Sequence, residues 1–207
     1  YEEHPVIGKP VACTGIITGI NASFFKPPEE IIVNRISQAR IFAPNGEYVS
    51  VKLKNDVILD RAMLDQHLAK MAKEAGAHIH TNHRFIDARK TGSKWSVTVL
   101  DKDEQRNLTV ETDILVGADG PLSRVAKATG LYGERKFYAG MQVTADVANE
   151  GYIEFYPVGN DIAWLVPENK SRARIGVAAS ERADLVFKKF MEKRVGYDYE
   201  NVVVERQ

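Results

Sequence analysis

Cysteine is almost absent: Cys13 is the only one in 207 residues, so neither an internal disulfide nor a cysteine-based zinc cluster can form. That single thiol fits a reducing, cytoplasmic compartment. An excess of one charge is lacking too. The 28 Lys and Arg balance 28 Asp and Glu, which removes the overall basic field that nucleic-acid binding draws on. No DNA or RNA partner is expected. Long apolar runs are missing as well: nothing approaches the roughly 20 residues of a membrane-spanning helix, and no signal peptide opens the chain. The sequence reads as soluble, at most peripheral to a membrane. Neither an internal repeat nor a low-complexity tract breaks it, and 44% hydrophobic residues suffice for an ordinary core.

What the sequence does have is a changing hydrophobic period. Two alternating runs, 30–42 and 48–53, flank Pro44-Asn45-Gly46, whose Asn-Gly pair supplies the positive-φ residues of a tight hairpin. From Asp60 the apolar spacing turns helical at Met63, Leu64, His67, Leu68, Met71 and Ala72, with Asp60 to cap the start and Gly76 to stop it. Strands are expected over 78–81, 85–90, 95–100 and 108–111. Asp113-Ile114-Leu115-Val116 has the continuous apolar character of a strand buried on both faces, and it runs into Gly117-Ala118-Asp119-Gly120 and a helix over 122–129. Four more strands, 140–147, 152–156, 162–166 and 173–179, precede an amphipathic helix over 181–194. This order predicts a mixed α/β chain, with a nucleotide-binding layer and a second domain built on an antiparallel sheet.

The strongest chemical signal is Ile114 to Gly120. Its glycines let backbone approach a ligand, the helix that follows offers free N–H groups to an anion, and Asp119 can accept from hydroxyls or order the turn. Spacing alone leaves open whether this is a ligand turn or a plain strand-to-helix connection. His78, His80 and His83 lie close together, but without a carboxylate pattern or a convergent third group no metal is expected. Lys188, Lys189, Lys193 and Arg194 lie opposite Leu185, Val186, Phe190 and Met191. Such a basic amphipathic helix either touches anionic lipid or packs on its own domain. No Ser-His-Asp order or paired catalytic carboxylates stands out.

ILVGADG, followed by Ser123-Arg124, resembles the second cofactor motif of flavin oxidoreductases of the p-hydroxybenzoate hydroxylase type. Three further stretches are EEHPVIGKPVACTG at 2–15, ILDRAMLDQHLAKMAKEAGA at 58–77 and AWLVPENKSRARIGV at 163–177. In order and spacing they are similar to the geranylgeranyl reductase family of archaea, plants and phototrophic bacteria. The resemblance implies a FAD-dependent oxidoreductase that saturates isoprenoid double bonds of membrane-lipid or chlorophyll precursors, with a polyprenyl lipid as substrate. Hydride would pass from flavin N5 to one alkene carbon and a proton to the other; the electron donor, NAD(P)H or ferredoxin, stays open. It also implies a partial FAD-binding Rossmann-type domain over 1–29 and 56–131 and an antiparallel-sheet substrate domain over 30–55 and 132–207. The family's opening Gly-x-Gly-x-x-Gly turn and a later Gly-Asp segment have no counterpart here, which implies an interior portion of such a protein. Two alternatives stay open: a flavin-dependent monooxygenase, and a substrate-domain scaffold that does not bind FAD alone.

Carried over position by position, Glu2 matches the acid that accepts from the adenosine ribose hydroxyls, with Glu3 beside it as the competing carboxylate. Cys13, Thr14 and Ile16 match the loop next to the flavin. The Cys13 thiol is the candidate catalytic group, its alternative being a small buried hydrophobe. Ala12 stands where many members have Arg. Arg61 matches a donor aimed at the cofactor's phosphate side, Phe85 a position whose backbone meets adenine, and Asp119 and Gly120 the pyrophosphate region. Trp164 and Pro167 match the strand that lines the lipid tunnel, although Ile162 and Val166 replace its usual Tyr and Phe. The expectation is that these cofactor contacts gather around one dinucleotide.

Overall fold

A computed structural model of the chain describes residues 1–19 and 24–206. Contacts divide it into two compact units, one made of 1–9 and 65–136 and the other of 10–64 and 137–207. Segments 10–29 and 56–64, grouped above with the FAD-binding portion, therefore cluster with the large sheet.

The sheet unit is built on β1 (Ile16–Ile17), β2 (Ile32–Phe42), β3 (Tyr48–Leu59), β7 (Ala139–Asp146), β8 (Ile153–Val158), β9 (Asp161–Asn169), β10 (Arg172–Ala179) and β11 (Val203–Arg206). Their order is β1-β3-β2-β8-β9-β10-β7-β11, antiparallel except where β2 meets β8. The β2–β3 hairpin turns at Asn45-Gly46 as expected, with Gly46 at φ +91 and Phe42 opposite Tyr48. β3 runs past the expected end at Leu53: after a bulge at 53–55, with Asn55 at φ +57, its ladder with β2 resumes at Asp56 and ends in Val57, Ile58 and Leu59, all buried.

Alternation along the strands separates two cores. On one face Val143, Ala145, Leu165, Ile175 and Val177 take Phe187, Phe190 and Met191 of α3 (Ala183–Arg194). The opposite face carries Ile36, Ala39, Ile58, Ile153 and Val166, with Ile16, Phe155 and Trp164 packed against them. Under α3, the buried Glu154 carboxylate accepts from Arg194 Nε at 2.7 Å and Nη2 at 2.8 Å, and from the Tyr156 hydroxyl. The basic stripe read from the sequence thus gives Arg194 to the interior, while Lys188, Lys189 and Lys193 stay exposed.

The other unit holds the antiparallel sheet β4 (His83–Thr91), β5 (Lys94–Asp101) and β6 (Arg106–Thr112), and the short α2 (Arg124–Ala128). The division between units falls inside α1 (Arg61–Glu74). Asp60 Oδ1 accepts from the Met63 N–H at 2.9 Å, and Gly76 at φ +96 follows the last turn, so both ends are where the sequence put them. Its apolar stripe is not a core stripe: Ala62 and Leu64 are buried, while Met63, Leu68 and Met71 are exposed.

Two expected strands are absent among the described residues. Residues 78–81 form no ladder; Glu2 makes the bridge there, its N–H donating to His80 O and its carbonyl accepting from the His83 N–H, both at 2.8 Å. Residues 113–116 join no ladder, the Ile114 carbonyl accepting instead from the Thr112 hydroxyl at 2.9 Å, with Leu115 packed on Phe85, Val97 and Val99 while Ile114 and Val116 are 77% and 76% exposed. An apolar run makes a two-faced strand only where neighbours occupy both edges, and none does here.

Candidate functional site

In the sheet unit the site begins with one row across three strands. Gln142 of β7, Gly176 of β10 and Trp164 of β9 are lateral partners. Gly176 has no side chain, so the Trp164 indole lies across β10; a Cβ at 176 would sit 2.5 Å from its ring. The indole Nε1–H thereby reaches Gln142 Oε1 at 3.0 Å, and Gln142 Nε2 donates onward to the Cys13 carbonyl at 3.3 Å.

The Cys13 segment is held along its length. Arg174, only 6% exposed, donates through Nη1 to Thr14 O at 2.8 Å and Leu59 O at 3.0 Å, while its Nε pairs with Glu168 at 2.8 Å. The Gly15 carbonyl accepts from the Leu59 N–H at 2.9 Å. Carbonyls 13, 14 and 15 are thus each taken by a protein donor. The Gly15 N–H points back at Cys13 Sγ at 3.4 Å, and among the described residues no acceptor takes the Cys13 or Thr14 N–H. Gly15 sits at φ +80 so close to β3 and β10 that a Cβ would lie 2.4 Å from Leu59 O and 2.5 Å from Arg174 Nη1.

Cys13, Thr14, Ile16 and Trp164 are therefore brought together on one face, all half-buried. Pro167 is not with them. Alternation along β9 puts it on the opposite face from Trp164, where it is fully buried and its carbonyl accepts from Asn34 at 2.9 Å. Arg61 opens α1 in the same unit, half-buried. Gln142, Arg174 and Glu168 were missed in the sequence because on strands they pass for the outward, polar half of the alternation. The detectable signal was an Arg inside Ala173-Arg174-Ile175, a run otherwise suited to the interior.

In the other unit Glu2 Oε1 accepts from the His4 N–H at 2.8 Å and lies 2.7 Å from His4 Nδ1. Phe85 packs with the small core around Val97 and Val99. Asp119 organises the start of α2: its carboxylate accepts from the Arg124 N–H at 2.6 Å, the Val125 N–H at 3.1 Å and the Ser123 hydroxyl. Burial pushes this carboxyl up, but those hydrogen bonds prevail and hold its pKa below the ordinary carboxylate value. Gly117 lets α2 approach, since a Cβ there would meet Val125 at 2.9 Å, whereas Gly120 at φ +77 faces open space. His83 Nδ1 lies 2.6 Å from Thr81 O and its Nε2 3.7 Å from Asp101. Among the described residues no group of three His, Cys, Asp or Glu is gathered for a metal, and no helix is long and apolar enough to cross a membrane.

The sequence pattern of the FAD binding domain family matches residues 19–197. Digeranylgeranylglycerophospholipid reductase of Methanocaldococcus jannaschii is 27% identical over 194 residues, covering 87% of this chain and 49% of that protein. Digeranylgeranylglycerophospholipid reductase 2 of Methanothermobacter thermautotrophicus is 32% identical over 217 aligned positions, covering 93% and 55%. The chain spans about half the length of these curated relatives. Among solved structures, a geranylgeranyl bacteriochlorophyll reductase-like protein from Thermoplasma acidophilum superposes with a TM-score of 0.85 at 21% identity, over 100% of this chain and 57% of that one. Aklavinone-11 hydroxylase, in a complex with FAD and aklavinone, gives 0.66 at 15% identity, over 100% and 47%. At such identities the structural likeness speaks for the fold, and the fold is that of flavoproteins. The resemblance to geranylgeranyl reductases read from the motifs agrees with these relatives.

Proposed function

The chain belongs to the FAD binding domain family, and from that membership we propose that it serves a FAD-dependent reductase that saturates double bonds of a polyprenyl lipid. The observation that carries the reading is the Cys13–Gly15 segment. Its three carbonyls are bound by Gln142, Arg174 and Leu59, which leaves the Cys13 and Thr14 N–H groups for a ligand. An edge of N–H groups suits a flavin ring, which is rich in acceptors, and Gly15 lets the segment lie close against Leu59 and Arg174, which hold that edge in place. The residues present fit the cofactor on that ground. The relatives named as reductases of a polyprenyl glycerophospholipid support the substrate class.

When bound, reduced FAD supplies the hydride for alkene saturation. This chain's residues supply position and exclusion of water. In this reading Thr14 and Ile16 lie along the flavin, Cys13 faces the reacting space, and Arg61 offers a fixed positive charge to the phosphate side. Glu2 takes the ribose hydroxyls, the backbone at Phe85 meets adenine, and Asp119 shapes the turn at which Gly120 leaves room for pyrophosphate. Trp164 presents a flat apolar surface to a hydrocarbon that offers almost no hydrogen bonds, and Pro167 fixes the strand from its packed face.

The test is anaerobic incubation of the FAD-loaded protein with dithionite and a geranylgeranylated glycerophospholipid, followed by mass spectrometry. Products heavier by two hydrogens for each reduced bond are expected. Unchanged lipid, or a hydroxylated product formed only with O₂, contradicts the proposal.

A further inference from the structure

We infer that Gln142 is a positioning residue: it fixes the Cys13 segment relative to the Trp164 ring, so that the two sides of the proposed site move as one piece. The inference deepens the reading above and rests on it for its functional meaning, but its geometry stands in the sheet alone. Gln142 sits on β7 and is only 7% exposed. Two of its hydrogen-bond partners fix its orientation. An indole N–H can only donate, so the amide oxygen must face Trp164; a backbone carbonyl can only accept, so the amide nitrogen must face Cys13. Among side chains that cannot ionise, no other of that length carries an acceptor and a donor together on its terminal group.

The link also has a fixed span. Trp164 is pressed flat by the empty place at Gly176, and the far side of the Cys13 segment is pinned by Arg174 on Thr14 and Leu59. Gln142 closes the gap between two anchored groups and is not a loose surface contact. Its loss frees the Cys13 carbonyl and the indole N–H together, each half-buried with one partner fewer.

A carboxyl in place of the amide gives the proposal its signature. Ionised, Gln142→Glu still accepts from the indole but sets a negative charge against the Cys13 carbonyl. Protonated, it accepts and donates as the amide does. Burial favours the protonated form, so the change falls within an accessible pH range. The charged groups on this face are Arg174 and Glu168, paired with each other, and Arg172 of β10, paired with Asp146 of β7, while the Cys13 thiol is the titratable group of the segment itself.

The experiment uses the full chain in a Trp95→Phe background, so that Trp164 is the only tryptophan and Cys13 the only thiol. Emission from Trp164 and the rate of Cys13 reaction with a disulfide reagent are measured in the parent, in Gln142→Leu and in Gln142→Glu, with each rate divided by the parent's at the same pH. Gln142→Leu is expected to shift the emission and to speed the thiol reaction about 3- to 10-fold at every pH, as the loss of one hydrogen bond loosens the segment. In thiol rate, Gln142→Glu should match Gln142→Leu near pH ~8 and return to the parent near pH ~5, while its emission stays near the parent's throughout because the carboxylate still accepts from the indole. The proposal is overturned if Gln142→Leu, folded by circular dichroism, leaves both signals at the parent's values. It is overturned equally if Gln142→Glu shows no recovery on acidification, a readout that holds even where the leucine variant fails to fold. Neither signal involves FAD, so a failure of cofactor binding and a failure of this link are told apart.

Discussion

Gly15 and Gly120 both hold a positive φ, at +80 and +77, but their surroundings differ. At Gly120 a methyl group would enter open space, so alanine there costs only the left-handed backbone, about 1–2 kcal/mol. At Gly15 the same methyl would collide with Leu59 O and Arg174 Nη1, and overpacking adds roughly 1–3 kcal/mol to that figure. Gly15→Ala should therefore destabilise its unit clearly more than Gly120→Ala does its own, as measured by urea unfolding followed through Trp164 and Trp95 respectively. Equal losses would contradict the crowding seen at Gly15. The sequence marked both glycines as loop residues but offered no way to rank them, because the crowding comes from β3 and β10, far along the chain.

Among the elements, α2 is too short to hold by propensity alone, and Asp119 with Ser123 supplies what its five residues lack. Asp119→Ala should cost about 1 kcal/mol. The carboxyl's pKa is depressed in the folded chain, so its contribution is present above the ordinary value of 3.8 and is lost as pH falls through the lower folded value. The gap in stability between parent and Asp119→Ala should thus narrow on acidification below 3.8, and a gap that widens there would contradict the cap. On α3, Arg194→Met strands the Glu154 carboxylate in the interior, and a loss of roughly 3–5 kcal/mol is expected by denaturant titration. A loss below about 1 kcal/mol, the worth of a surface pair, would contradict a buried one. Burial, and then the bond to Glu154, push the Tyr156 phenol above its ordinary value. That contribution is complete below 10.0 and declines as pH rises past it.

Among the described residues, β2 to β10 and the three α-helices were legible, while the short β1 and β11 were not expected, because period and turn residues are local properties: Asn45-Gly46 made its hairpin and Asp60 its cap. The failures were residues whose state depends on distant chain. Ile114 and Val116 read as a buried strand, yet no neighbour pairs with them among the described residues. Arg174 and Gln142 read as outward polar positions, yet they hold the Cys13 segment from beneath.

For the molecule as a whole, balanced charge and one cysteine said what to exclude, while ordered motifs pointed to a flavoprotein, and the FAD binding domain match bears that out. The buried Arg174, Gln142 and Gly15 all hold one short irregular segment, the feature on which the proposed cofactor site rests. Titration of FAD into the protein, followed by quenching of flavin fluorescence, tests this most directly. Saturable quenching that weakens in Gly15→Ala is the predicted result. A linear response with no saturation, the same in both proteins, would contradict the account.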